Sequence, residues 1–173
     1  MSFLDDVKAR IDRAKVVSFD IFDTLLVRPY VRPIDLFQHM ETHFSAPGFA
    51  TARIQAEKAA RAHHRNVEEI TLDEIYDEIV PAYHDFKQHE KDFEHQVLIP
   101  NPRLKPVFDY ARAAGKKIIV ISDMYLDREF LAHTLKAKGY DGISKIYVSS
   151  EYKKMKMTGN LFPIVLDDLD CAP

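Results

Sequence analysis

The stretch Lys15-Val16-Val17-Ser18-Phe19-Asp20-Ile21-Phe22-Asp23-Thr24-Leu25-Leu26 decides how the rest of the chain is read. It opens with Lys, runs through β-branched and aromatic residues, and meets a carboxylate at Asp20. A short continuous apolar run of this kind suits a strand buried on both faces of a parallel sheet. Two further runs have the same shape: Lys117-Ile118-Ile119-Val120-Ile121-Ser122-Asp123 and Lys145-Ile146-Tyr147-Val148-Ser149-Ser150. Helical stretches lie between them. Asn101 is placed to cap a helix with Pro102 at its first position and Gly115 just past its end. Asp127 is placed to cap another that stops at Gly139. Strands alternating with helices predict an α/β fold with a doubly wound parallel sheet.

Between the first and second runs the pattern is helical throughout. Pro33-Ile34-Asp35-Leu36-Phe37 begins one helix, and the Ala-rich segment 50–65 forms another. Thr71-Leu72-Asp73-Glu74 is a capping box, with Ile70 and Ile75 placed as its hydrophobic staple. This block is too long for a crossover and too helical for a loop, so an inserted all-α cap is expected. The predicted division is an α/β core from residues 1–27 and 101–173, and a helical cap from 28–100. Phe3, Leu4, Val7 and Ile11 recur at helical spacing and predict a docked surface helix at the start.

The bulk numbers narrow the function classes. With 173 residues the chain can bury one sizeable core, alone or with an insertion. A composition of 46% hydrophobic and 29% charged residues with a net charge of -3 gives no nucleic-acid footprint. Apolar runs are too short for a membrane span. The single Cys171 excludes a disulfide within the chain, and a cytoplasmic location is the simplest expectation.

Ligands of open parallel sheets bind beyond the carboxyl ends of the strands. Those ends carry Asp20, then Ser122 and Asp123, then Ser149 and Ser150, so a nucleophilic carboxylate and several hydroxyls are expected to converge on one edge. Phe19-Asp20-Ile21-Phe22-Asp23-Thr24-Leu25 resembles the first motif of the haloacid dehalogenase superfamily. Ser122 after its apolar run is similar to the second motif, and Lys156 in Lys156-Met157-Thr158-Gly159 to the third. Their order, with a helical insertion between the first two, resembles members with a C1-type cap. Ser18 to Leu26, Ser122-Asp123-Met124-Tyr125-Leu126 and Ser149-Ser150-Glu151-Tyr152 resemble a branch of hydrolases associated with bacterial glycosyltransferases.

The resemblance implies an Asp20 nucleophile forming an aspartyl-phosphate, with Ser122, Lys156 and Thr24 completing the catalytic set. It implies Mg2+ held by Asp20 and the main-chain carbonyl of Phe22, and a small phosphorylated metabolite such as a sugar phosphate as substrate. A fused or neighbouring glycosyltransferase is the implied partner. Arg28, Arg53 and Asp123 are candidate substrate contacts. Arg53, Glu57 and Arg61 share one helix face at i, i+4 and i+8; surface charge pairing is the default there, and a grip on a substrate anion the sharper alternative. Asp123 otherwise serves to shape its loop.

Two departures from the pattern matter. Phosphatases of the superfamily carry a second Asp where this chain has Phe22, and a phenyl ring can neither protonate a leaving group nor activate water. Haloacid dehalogenases also lack that Asp and need no metal, so metal-independent dehalogenation is one alternative. A fourth, acidic motif would follow a further strand beyond Lys156, so the C-terminal part of the core is expected to be missing. Asp167, Asp168 and Asp170 are the acids left to replace it. A catalytically degenerate module that binds a phosphorylated ligand, or supports a glycosyltransferase, is the non-enzymatic alternative.

Overall fold

The computed structural model describes residues 3–170. Cys171 lies outside them, as does the side chain of Phe3. Strands β1 (Val16–Phe19), β4 (Lys117–Ser122) and β5 (Ile143–Val148) form a parallel sheet in the order β1-β4-β5. Each apolar run therefore becomes a strand. The central strand β4 is buried along its whole length after Lys117. Its alternate residues serve two cores, as a period of two demands. Ile118 and Val120 join the large cluster with Phe19, Phe108, Leu131 and Tyr140. Ile119 and Ile121 face the other way and pack with Tyr147, Leu161 and Val165.

Helices α6 (Lys105–Ala113) and α7 (Arg128–Ala137) connect the strands, and α9 (Phe162–Asp168) supplies Val165 to the second face. The Asp127 carboxylate accepts the Phe130 N–H at 2.7 Å, and the helix after it ends before Gly139, whose φ of 85° needs no Cβ. The helix predicted from Asn101 begins later, at Lys105. Asn101 instead closes a local turn, its side-chain oxygen accepting the Arg103 N–H at 3.0 Å. Helix α1 (Phe3–Arg13) packs along α6 through buried Ile11. Tyr110 donates to Asp12 at 2.7 Å, and Lys116 donates to the Asp12 and Ala14 carbonyls.

Residues 28–98 leave and return to the core through one neck. Strands β2 (Leu26–Val27) and β3 (Ile99–Pro100) pair antiparallel there, with Leu26 opposite Pro100. Tyr140 donates its hydroxyl to the Leu25 carbonyl, which also accepts the Asn101 N–H at 2.8 Å. Beyond the neck stand α2 (Asp35–His43), α3 (Phe49–His63), α4 (Leu72–Asp77) and α5 (Phe86–Val97), around buried Phe37, Met40, Phe49, Ile75 and Phe93. The capping box forms: Thr71 Oγ1 accepts the Glu74 N–H at 3.1 Å and Glu74 accepts the Thr71 N–H at 2.7 Å.

The expected pairing on the α3 face forms, with Glu57 between Arg53 at 3.2 Å and Arg61 at 3.1 Å. But Arg53 is not at the surface and not free to grip an anion, because it is 0% exposed inside the cap. Its Nε and a terminal nitrogen donate to the two oxygens of Glu90 at 2.7 and 2.9 Å, and Tyr76 donates to the same carboxylate at 2.8 Å. The rings of Phe37 and Tyr125 lie 4.6 and 4.9 Å from the guanidinium. Burial disfavours its charge, but the Glu90 carboxylate more than compensates and holds it above the usual arginine range. Removing one partner of such a pair leaves an uncompensated buried charge. Glu90→Ala should therefore lower stability by about 3–5 kcal/mol, read as a shift in urea unfolding midpoint. A shift under about 1 kcal/mol would mean that the guanidinium reaches water.

Candidate active site

Asp20 is the first residue past β1, Ser122 the last of β4, and Ser149 follows β5, so all three stand at the carboxyl edge of the sheet. The chain turns sharply after Asp20. Both Leu25 and Leu26 donate to the Ile21 carbonyl at 2.8 Å, and the Asp23 N–H returns to the Leu26 carbonyl at 2.8 Å. Asp23 adopts φ 57°, a left-handed conformation that Asp tolerates better than most residues. Thr24 is half-buried within this turn, its N–H donating to the Ile21 carbonyl at 3.3 Å.

Asp20 Oδ1 accepts the Ile21 N–H at 2.8 Å and pairs with Lys156 Nζ at 2.9 Å. Oδ2 accepts no hydrogen bond among the described residues, and the side chain is 37% exposed. The Lys156 ammonium also donates to the Ile121 carbonyl at 3.3 Å. Asp123 explains how lysine reaches this place. Its two oxygens accept the Lys156 and Met157 N–H groups at 2.7 and 2.9 Å, pinning the loop that presents the side chain. Asp123 is thus a loop-holding residue, and its carboxylate is already engaged where a substrate contact was expected. Ser122, 1% exposed, lies in the chain between Ile121 and Asp123, both of which touch Lys156.

Between core and cap lies a cavity of about 300 Å³. Phe22 and Asp23 from the turn, Met124 and Tyr125 from the loop after β4, and Phe37, Arg28, Glu57 and Glu94 line it. Asp20, Lys156 and Arg53 are not in its wall. The Arg28 guanidinium stacks 4.2 Å above the Phe22 ring and is held by Glu94 at 2.6 Å. Burial pushes the Glu94 carboxyl up, with Arg28 opposing. Arg28, expected as a substrate contact, lines the cavity as one half of an ion pair. Glu94 was missed. The available signal was its spacing: Glu90, Phe93 and Glu94 share the inward face of α5, and two acids on an apolar face call for buried cations.

Among the described residues no group of three or more His, Cys, Asp or Glu could hold a metal ion. The tail acids do not complete one with Asp20. Asp168 instead accepts from Lys145 and Tyr147 on the flank of β5, and that pairing, Lys145 first, holds its carboxyl below the usual range. Asp20 Oδ2 is open, and the Phe22 main-chain carbonyl is the second oxygen that the motif resemblance implies for a cation. Mg2+ commonly binds one or two carboxylates and fills its octahedron with waters and substrate phosphate oxygens, so this donor set fits an ion that arrives with its substrate.

The fold now has parallels. No protein-family model matches the sequence, and no curated protein matches it. Among solved structures, the L-2-haloacid dehalogenase of Xanthobacter autotrophicus, with chloropropionic acid covalently bound, superposes with a TM-score of 0.59 at 14% identity over 92% of this chain. A haloacid dehalogenase-like hydrolase from Bacteroides fragilis gives 0.56 at 18% identity, covering 93% of this chain and 75% of its own. A second L-2-haloacid dehalogenase gives 0.56 at 16% identity, over 91% and 74%. The chain has the haloacid dehalogenase fold. It spans 66% of the length of the Xanthobacter enzyme. The parallel sheet of that fold was predicted from the apolar runs, and its helical insertion from the helical patterns between the first two of them. No helix among the described residues is long and apolar enough to cross a membrane.

Asp123→Asn tests the loop. An amide offers one acceptor where the carboxylate offers two, so either Lys156 or Met157 would lose its partner at about 1–3 kcal/mol of local stability. Hydrogen exchange at those two amides should quicken; unchanged exchange would remove Asp123 from the role.

Proposed function

We propose that the chain carries the nucleophile of a haloacid dehalogenase-type hydrolase, forming an aspartyl-phosphate on Asp20 from a small phosphorylated metabolite. The observation that supports this best is the Asp20–Lys156 pair at the sheet edge, with Oδ1 held and Oδ2 open. In the reaction Oδ2 attacks phosphorus, the phosphorus–oxygen bond to the leaving group breaks, and the leaving oxygen takes a proton from solvent. Water then attacks the phosphorus of the aspartyl-phosphate, giving inorganic phosphate and regenerating the carboxylate. Dividing the displacement in this way is the advantage of covalent catalysis. Lys156 fixes the carboxylate and offsets charge that builds on the transferring group. Mg2+, held by Asp20 and the Phe22 carbonyl when bound, would supply further charge compensation on the phosphoryl oxygens. A sugar phosphate as substrate, and a fused or neighbouring glycosyltransferase as partner, follow from the branch resemblance of the three motifs.

Phe22 favours a second reading. Its ring stands where a phosphatase carries its acid, and Arg28 stacks on it. Displacement of halide from a 2-haloacid by Asp20 needs no leaving-group proton and so tolerates Phe22. The two readings part on metal dependence. In assays of sugar phosphates, an aryl phosphate and 2-chloropropionate with and without Mg2+, the phosphatase reading expects phosphate release only with the ion. Chloride release that ignores the ion would replace it with dehalogenation, and silence on every substrate would favour the ligand-binding module.

Asp20→Asn should abolish turnover by either route while leaving the unfolding midpoint unchanged, since the two side chains have nearly the same volume. Retained turnover in that variant would end the mechanism. Phe22→Asp, which restores an acid, should raise phosphate release by about 10²-fold or more. No gain would mean that Phe22 is not the limiting defect.

A further inference from the structure

Three consecutive amides of the loop that presents Lys156 are each held by a carboxylate. Asp123 of the core takes Lys156 and Met157. Glu68, in the cap connection between α3 and α4, takes the Met155 N–H at 2.8 Å. The Glu68 carboxylate also accepts Thr158 Oγ1 at 2.7 Å and the Asn160 side-chain amide at 2.5 Å, and Lys154 Nζ lies 3.5 Å away. One cap side chain thus spans residues 154–160 of the core.

Apart from these side chains the loop is fixed by main-chain bonds, the Leu161 N–H to the Met155 carbonyl at 3.1 Å and the Glu68 N–H to the Lys153 carbonyl at 3.3 Å. Met157 is 79% exposed, Thr158 and Asn160 are exposed, and the first side chain of this segment to enter a core is Leu161. A segment without apolar anchorage takes its position from its polar contacts. Hydrogen bonds, Thr158 first and then the Met155 N–H, hold the Glu68 carboxyl at about 2. A lowered value means that the grip is fully present above the ordinary carboxylate range and is lost only as pH falls through about 2. It is therefore constant at any pH where the enzyme would work. The contact is also directed. Glu68 holds the amide immediately before Lys156, and the ammonium at the far end of that residue must meet Asp20 Oδ1 at 2.9 Å.

We propose that Glu68 is a positioning residue: acting through the 154–160 loop, it sets the Lys156 ammonium against Asp20, so that the pair is assembled only when the cap is seated on the core. This rests on the reading of Asp20 and Lys156 as the reacting pair. It gives the cap a part in catalysis beyond covering the cavity, and it makes the active centre depend on a residue far from it in sequence.

Three variants test this. Glu68→Ala removes every side-chain contact, Glu68→Gln keeps one acceptor for the Met155 N–H, and Lys153→Met breaks the neighbouring cap-to-core pair of Lys153 with Glu74 (2.7 Å) while touching none of the three amides. Two readouts are taken: kcat and KM on whichever substrate the panel yields, and the rate of Lys156 acetylation by acetic anhydride, read by mass spectrometry and independent of turnover. A misplacement near 1 Å costs on the order of 10²-fold, so Glu68→Ala should lower kcat by about 10–100-fold with KM changed less than about two-fold. Lys156 should acetylate faster in that variant, and Glu68→Gln should recover most of both. Lys153→Met should match the wild type. Wild-type acetylation in Glu68→Ala overturns the proposal, as does Lys153→Met reproducing its effects, which would reduce Glu68 to general docking. Should the wild type hydrolyse nothing, the hydrolase reading fails while acetylation still decides whether Glu68 positions Lys156.

Discussion

The ammonium of Lys156 rests on two oxygens that neighbouring strands bring together: Oδ1 of Asp20, one residue beyond β1, and the carbonyl of Ile121 in β4. That contact depends on register. Phe19 lies opposite Val120 in the parallel pairing, so Asp20 and Ile121 come level at the sheet edge. A slip of one residue would exchange the two faces of β4 and move Ile119 and Ile121 out of the core they share with Tyr147, Leu161 and Val165. Burial on both faces therefore fixes the register, and the register fixes the chemistry.

Lysine itself comes from a loop that no strand holds. Asp123, anchored at the end of β4, takes two of its amides, and Glu68 reaches from the cap for a third. The cap is tied to the core at further points: the Leu72 N–H donates to the Tyr125 carbonyl at 2.9 Å, and Lys91 pairs with Asp127 at 2.7 Å. Its interior in turn is organised by the Arg53–Glu90 pair, which puts a charge where helices usually pack apolar side chains. Ion pairs of this sort contribute little net stability, yet they tolerate few alternative arrangements. The chain thus runs from a buried pair in the cap, through its seating on the core, to one contact at the sheet edge.

Much of this was legible in the sequence and some was not. The three apolar runs gave the parallel sheet because burial on both faces leaves a continuous hydrophobic signature. The Asp127 cap and the Thr71–Glu74 box were legible because they are local. The start of α6 was misread because Asn101 and Pro102 suit a turn as well as a helix start, and Pro106 occupies the first turn instead. Arg53 was misread because helical spacing gives which residues share a face and says nothing of which way that face points. The role of Glu68 was invisible for a different reason. Its partner Met155 lies 87 residues away, and no local pattern reports such a distance, whereas Glu94 left a trace in its spacing with Glu90 and Phe93.

The charges around the cavity bear on what can enter it. Four carboxylates line it, and three already have partners: Asp123 on two amides, Glu57 on Arg53 and Arg61, Glu94 on Arg28. The cation in the wall, Arg28, is likewise paired, and Lys156 lies outside it. An anion placed in this space would meet the exposed Asp23 and no unpaired positive charge among the described lining residues, while apolar walls deny it hydration. A neutral group with hydroxyls would instead find aromatic surface in Phe22, Phe37 and Tyr125 and carboxylate oxygens at the rim. At the sheet edge Lys156 is likewise paired, with Asp20, and the strand-end hydroxyls of Ser122, Ser149 and Ser150 are buried. The lining of the cavity therefore suits an uncharged group better than an anion. The cap that supplies part of this wall also holds the lysine loop, through Glu68 on the Met155 N–H, so the cavity and the position of Lys156 share one support.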